Sequence, residues 1–409
     1  MSRVRFARRA GSAFLLALAM FSLAVHGASA SKYKKLYEFC AQAACADGSG
    51  PAAPLMQDAA GNLYGTTETG GDANQGTIFV LIKSKHWKYK RLYSFCALES
   101  CADGAAPYGR MVIDTGGNLY GVAPQGGPND GGVIFELVGQ KNLKILYAPC
   151  SRANCADGQS PSALTYQGAA SGAAYDGISP LYGSNFAGGT NNSGMLFKLT
   201  PHGRKWRVTT LYRFCEPDCV AGRNPFGDLV IDGSGNIFGT AQANTGSLYK
   251  VDTAGIGTLL HTFCSSLNCT DGWLPSGGVL ADATGALIGT TIAGGDFNAG
   301  VLFKYSSEGG YAVLREFCGI CNTGNEPQGV PAMNAAGKLF GVTLFGGPNF
   351  GDIYEWDGTT LYTIFDLCGS AACGSVPRVG LTIDGAGNLF GTTQQGGTNN
   401  GGVVFEFVP

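Results

Sequence analysis

The 409-residue chain carries 27 Lys+Arg against 29 Asp+Glu, only 14% charged residues, and 65 glycines beside 44% hydrophobic content. Glycine this far above the usual ~7%, with Leu, Val, Phe and Tyr recurring throughout, excludes disorder and points to many short strands joined by tight turns. The balance of charge excludes nucleic acid and anionic membrane surfaces as partners, since both select for clustered positive charge.

The chain opens on a basic stretch (Arg3, Arg5, Arg8, Arg9), an apolar run over 13–25 too short to span a bilayer, and the small-x-small pattern Ala28-Ser29-Ala30. This predicts a secretory signal peptide over 1–30, cleaved after Ala30, and a protein that is periplasmic or extracellular. Without the leader's four arginines, 23 Lys+Arg face 29 Asp+Glu, a formal charge of −6. Beyond Ala30 no run approaches the roughly 18 apolar residues of a membrane helix, so membrane insertion is not expected. The basic stretches 32–35 and 83–91 read as solvated strand faces.

From residue 36 onward three blocks recur in order, seven times each. Leu36-Tyr-Glu-Phe-Cys40 returns with its cysteine at 96, 150, 215, 264, 318 and 368. Asn62-Leu-Tyr-Gly-Thr-Thr67 returns from 118, 180, 236, 286, 338 and 388, and Gly76-Thr-Ile-Phe79 from 132, 194, 246, 300, 351 and 402. The first complete unit predicts four strands, over 53–58, 62–67, 76–82 and 87–95, with turns such as Asp58-Ala-Ala-Gly61 between them. Seven four-stranded units of about 50 residues are what a β-propeller requires. The phase agrees: a lone strand near 33–39 precedes the first unit, and the last unit stops after its third strand at 402–408. The first strand can therefore complete the last blade and hide its edge, which an open β-solenoid would not need. We expect an all-β protein, one seven-bladed propeller of four-stranded blades over 31–409, closed by its N-terminal outer strand.

Within the units, Gly65, Gly121, Gly183, Gly239, Gly289, Gly341 and Gly391 fall inside the second strand, where glycine costs stability; tight packing between neighbouring blades is the expected reason. Two units depart from the pattern. The third inserts residues around 168–177, and the fourth has a shortened loop over 242–246 without the Gly-Gly pair. Such asymmetry lets a ring carry a single site.

The 14 cysteines form seven local pairs: Cys40/Cys45, Cys96/Cys101, Cys150/Cys155, Cys215/Cys219, Cys264/Cys269, Cys318/Cys321 and Cys368/Cys373. An even count, an export signal and recurring spacing predict disulfides, pairing within each repeat being the economical arrangement. Zinc fits less well, because each repeat offers two thiols and no nearby histidine.

The succession Leu-Tyr-Gly-Thr-Thr, Gly-Gly, Asn and Gly-Thr-Ile-Phe, clearest over 62–79, 287–303 and 388–405, resembles the GloVer tandem repeat of exported bacterial choice-of-anchor proteins. The resemblance covers nearly all of the chain after the leader and implies a propeller at or outside the cell envelope, with no chemistry to transfer. The chain departs from the anchored members in ending at Pro409 without a sorting segment or hydrophobic tail. The pattern Gly380-Leu-Thr-Ile-Asp384 with Asn388-Leu-Phe also resembles NHL and lactonase-type propellers, which bears on fold alone.

The Gly-rich loops and the blade crossings should emerge on one face with all the disulfides. Two residues before each third-block glycine stand Asn74, Asp130, Asn192, Asn244, Asn298, Asn349 and Asn400, a ring of groups able to bind sugar hydroxyls, with Trp273, Phe297, Phe345 and Phe350 as stacking platforms. The competing reading is ordinary turn chemistry, and it is the stronger one. Asp47, Asp103, Asp157 and Asp271, in Cys-x-Asp-Gly, read as turn caps before cation ligands. His86, His202 and His261 are scattered in or beside outer strands and do not favour a nucleophilic system. No catalytic residue, metal or cofactor is assigned. The expected function is a non-catalytic binding or scaffold module engaging carbohydrate or an extracellular protein. The alternative is a glycan-active or lactone-active enzyme with an acidic site near the central channel, which a convergent carboxylate pair about 5 to 10 Å apart would favour.

Overall fold

A computed structural model describes residues 32–203, 205–319, 323–370 and 372–409. The expected leader and Cys321 lie outside these residues. The described chain is almost entirely β: seven antiparallel sheets, each built from four strand positions, arranged in a ring as a seven-bladed propeller. The innermost position is split in two in the first blade (Ser49–Pro51 and Met56–Gln57) and in the fifth (Trp273–Pro275 and Leu280–Ala281). The first blade continues through Leu63–Thr69, Thr77–Ile82 and Lys88–Ser94, close to the spans expected from sequence. The seventh runs Thr382–Ile383, Leu389–Thr393 and Val403–Val408, and its outer strand is Lys32–Glu38 from the other end of the chain. That strand pairs antiparallel with the last one, Lys32 opposite Val408 and Glu38 opposite Val403, which closes the ring by hydrogen bonds.

The three recurrent blocks meet at one place in each blade junction. Phe79 pairs in register with Gly65. A Cβ on Gly65 would stand 2.5 Å from the Phe79 ring. The same holds for Gly121 with Phe135, Gly183 with Phe197, Gly239 with Tyr249, Gly289 with Phe303, Gly341 with Tyr354 and Gly391 with Phe405. The strand-interior glycine therefore makes room for an aromatic ring of its own blade, rather than for the neighbouring blade as expected from sequence. Onto that ring the phenylalanine preceding a cysteine packs edge-on from the blade before: Phe39 on Phe79 at 5.0 Å, Phe95 on Phe135 at 5.4 Å, Phe317 on Tyr354 at 5.0 Å. These rings are fully buried, and each contributes about 1.5–3 kcal/mol by leaving water. The core is thus a series of clusters between blades, such as Tyr64, Ile78 and Phe95 of the first with Met111, Leu119 and Phe135 of the second.

A second device joins every neighbouring pair. The residue before Pro51, Pro107, Pro161, Pro225, Pro275, Pro327 and Pro377 has a left-handed φ of 51–62°. These seven residues are Gly50, Ala106, Ser160, Asn224, Leu274, Glu326 and Val376. Each donates its backbone N–H to the preceding blade, as Ala106 does to Gln75 (2.9 Å) and Val376 to Phe350 (3.1 Å). The proline then lies on the glycine opening that blade's third strand: a Cβ on Gly132 would meet Pro161 Cδ at 2.7 Å and the Ala123 carbonyl at 2.6 Å. No side chain fits there, which explains the invariance of this glycine across the seven units.

Candidate ligand-binding face

Inner strands start, and outer strands end, on the face that bears the disulfides, and the loops between second and third strands turn on the same face. The two sets are bonded directly: Gly71 N–H donates to the Cys45 carbonyl, Gly127 to Cys101, Gly189 to Cys155 and Gly295 to Cys269, all at 2.9–3.0 Å. Cys40–Cys45, Cys96–Cys101, Cys150–Cys155, Cys215–Cys219, Cys264–Cys269 and Cys368–Cys373 are bridged within their own repeats. The remaining expected pair involves Cys321, outside the described residues.

The buried carboxylates of Asp47, Asp103, Asp157 and Asp271 organise these crossings. Asp47 accepts the N–H groups of Ala41 and Gln42 and the hydroxyl of Tyr37, at 3.1, 3.1 and 2.6 Å. Tyr93 and Tyr147 repeat the hydroxyl contact to Asp103 and Asp157, at 2.7 and 2.6 Å. With their oxygens turned inward to backbone amides, these aspartates cap the crossing turn, as the turn-capping reading expects.

All seven residues of the expected ring are exposed with left-handed φ, from 50° at Asn298 to 73° at Asn349. Four accept the N–H of the residue four positions earlier through Oδ1: Asn74 from Gly70, Asn192 from Gly188, Asn298 from Gly294 and Asn400 from Gly396, at 2.8–3.1 Å. Asn244 Oδ1 accepts from Arg223 at 3.1 Å. Their Nδ2 groups have no protein acceptor among the described residues. In the four that close their own turn, that role uses one half of the amide and leaves the Nδ2 half without a protein partner among the described residues.

Trp273, Phe297, Phe345 and Phe350 are 37–54% exposed, and among the described residues they are the exposed Phe and Trp side chains. They belong to two adjacent blades, the fifth and sixth. Backbone geometry holds them out: Trp273 precedes left-handed Leu274, while Phe297 and Phe350 flank left-handed Asn298 and Asn349.

The profile of the Gloeobacter/Verrucomicrobia repeat matches residues 20–179, 153–329 and 275–409. The chain belongs to this repeat family. No curated protein matches it. Among solved structures, it resembles the extracellular domain of a B. thetaiotaomicron protein described as a one component system, at 14% identity and a TM-score of 0.53. The match covers 91% of this chain and 39% of that one, so the chain spans well under half of that protein's length. A 6-phosphogluconolactonase-like protein from Bacteroides uniformis aligns at 12% identity and TM-score 0.47, covering 77% of this chain and 84% of that one. At 14% identity the likeness to the first of these is one of fold alone.

Two features of this Gloeobacter/Verrucomicrobia repeat protein are not legible from its blocks. In the sixth blade Asp352 and Asp366 are cross-strand partners, at positions held by Thr77 and Ser94 in the first. The Gly346-Gly347 loop lies directly on them: a Cβ on Gly346 would meet Asp352 Oδ2 at 1.7 Å. Burial, then the Asp366 carboxyl beside it, pushes Asp352 up from 3.8 to about 7. The sequence signal was an aspartate in Gly351-Asp-Ile-Tyr354 where other units have an apolar or hydroxyl residue.

The other is the central channel. Backbones of the inner strands crowd it: Asp228 N–H donates to the Gly277 carbonyl at 2.8 Å, and a Cβ on Gly329 would meet Gly380 N at 2.2 Å. About 30 Å³ remains there. Arg110 of the second blade reaches Asp228 of the fourth at 3.1 Å. Among the described lining residues Asp228 supplies the carboxylate, already paired with a guanidinium.

Proposed function

We propose that this protein is a non-catalytic binding module acting outside the cytoplasm, and that it engages carbohydrate through its disulfide-bearing face at the fifth and sixth blades. The observation that carries the reading is that Trp273, Phe297, Phe345 and Phe350, the exposed Trp and Phe rings among the described residues, stand at strand ends and turns of two adjacent blades, three of them next to left-handed residues. Exposed aromatic area on a rigid base is suited to the apolar faces of sugar rings, and the amides of Asn298 and Asn349, next in sequence to Phe297 and Phe350, have the chemistry to hydrogen-bond hydroxyls. The bridged cysteines fit an oxidising compartment, and no helix among the described residues is long and apolar enough to cross a membrane.

The test is a binding screen of the oxidised protein against polysaccharide fragments, repeated with Trp273→Ala and Phe345→Ala. Saturable binding of one glycan class, without turnover and weakened at least about tenfold by either substitution, supports the reading. Binding that survives both substitutions, or capture of an extracellular protein with no glycan bound, overturns it.

A further inference from the structure

On the opposite face a cavity of about 1030 Å³ opens between the fourth and fifth blades. Its walls are Phe238 and Leu260 of the fourth and Leu287 and Tyr305 of the fifth, with Lys250 at one side; Asp232 and Asp282 also line it, their carboxylates accepting from Asn236 and Lys304. Its size is that of a small-molecule site, and it is largely apolar.

At two other junctions a tryptophan fills the corresponding place. In the first blade Trp87 packs on Phe390 of the blade before, ring centroids 6.2 Å apart at 68°. In the third blade Trp206 packs on Tyr120 of the blade before, at 6.2 Å and 64°. Phe238 is the fourth blade's counterpart of Phe390 and Tyr120, being the residue before the strand-interior glycine. The register places Gly309 where Trp87 and Trp206 stand, each two residues before the outer-strand partner of its third strand. A Cβ on Gly309 would meet only Ser306 Oγ, at 3.1 Å. The two tryptophan junctions show that this position accepts an indole-sized ring against an aromatic partner.

Two further observations make it a site. The insertion peculiar to the third blade is anchored on the second: Thr115 donates to the Tyr175 carbonyl at 2.9 Å, and Tyr175 packs edge-on against Tyr120 at 5.3 Å. Its other limb, through Gln167, Ala170 and Ser171, forms a wall of the cavity. The lysine also differs from its counterparts. Lys198 lies over the Tyr182 ring at 5.5 Å and Lys304 donates to Asp282 at 2.8 Å. Lys250 has neither kind of partner among the described residues.

We infer that this cavity binds a small molecule carrying an aromatic ring and an anionic group, the ring taking at Phe238 the place that tryptophan takes at two of the six other junctions and the anion meeting Lys250. The site is independent of the sugar-binding face.

The test titrates the oxidised protein with 3-indolepropionate and with 8-anilinonaphthalene-1-sulfonate, followed by fluorescence and calorimetry. One saturable site per chain, shared competitively by the two, is expected. Gly309→Trp should abolish it and raise the melting temperature, while Lys250→Met should weaken both anions about tenfold and spare neutral 3-methylindole. Phe345→Ala, on the other face, should leave it unchanged. No saturable binding by the native protein overturns the inference, and so does binding that persists undiminished in a folded Gly309→Trp. Should that variant fail to fold, equal affinity of Lys250→Met and native protein for 3-indolepropionate overturns it instead.

Discussion

His261 holds, at the crossing from the fourth blade to the fifth, the place that Tyr37 holds at the crossing from the seventh to the first. Each reaches the buried aspartate of its crossing, at 3.1 Å to Asp271 and 2.6 Å to Asp47. Each also stacks on a tyrosine of the next blade, Tyr311 at 3.6 Å and Tyr89 at 4.2 Å. The imidazole is therefore a structural substitute for a phenol. Burial depresses its pKa below 6.5, and the opposing pull of Asp271 does not restore it. Burial also opposes ionisation of Asp271, but the Ser265 hydroxyl and the amides of Ser266 and Ser265 keep that carboxylate low, so it needs no imidazolium.

A pH dependence follows. Below about pH 6.5 the unfolded chain takes up a proton at His261 that the folded chain refuses, so stability falls as the pH drops through that value toward the depressed folded pKa. His261→Tyr should lose this component. Urea unfolding at pH 7.5 and 5.5 checks it: the native protein should weaken more between the two than the variant does.

Asp352 acts in the opposite sense. Its folded pKa lies above the unfolded one, so it contributes stability that is fully present below about pH 4 and lost as the pH rises toward about 7. Asp352→Asn should lose this component, so that its melting temperature, measured against the native protein's at each pH, gains steadily between about pH 4 and pH 7.

The proline–glycine contact between blades predicts a sharp contrast between two glycines. Gly132→Ala forces a Cβ onto Pro161 and the Ala123 carbonyl at a φ of 84°, and should cost about 2 kcal/mol or more. Gly385→Ala, with no heavy atom in reach, should stay within about 0.5 kcal/mol. Guanidinium unfolding of both variants measures the difference.

Val376 is a β-branched residue held at a φ of 60°, a conformation that costs about 1–3 kcal/mol. Val376→Gly should relieve part of that strain and raise stability by about 1 kcal/mol, despite the packing it gives up. A fall in stability by the same assay would mean that the side chain matters more than the strain.

The strand count, the blade count and the closure were legible because each rests on a residue type that local physics demands: aspartate and glycine in the turns, alternating apolar residues in the strands. The junctions were not. Gly65 reads as a strand glycine, but the ring that requires it, Phe79, is distinguished only by register. The left-handed residue before each proline left no trace at all, since Gly50, Ala106, Leu274, Glu326 and Val376 share no chemistry; a hydrogen bond to the preceding blade holds the conformation, at Ala106, Leu274, Glu326 and Val376 against the residue's own preference. On the candidate face, aromatics breaking a Gly-rich loop were visible as exceptions. The cavity opposite was not, because the insertion at 168–177 and the missing ring at Gly309 meet only once the chain has gone round the ring.

Lys32 and Val408 stand side by side, the start of one strand paired with the end of another, at the edge remote from the disulfides. Anything joined to the propeller there, from either direction, holds it by its underside. Trp273, Phe297, Phe345 and Phe350 would then look away from the point of attachment, and a tethered copy would offer them outward like the open end of a cup fixed by its foot.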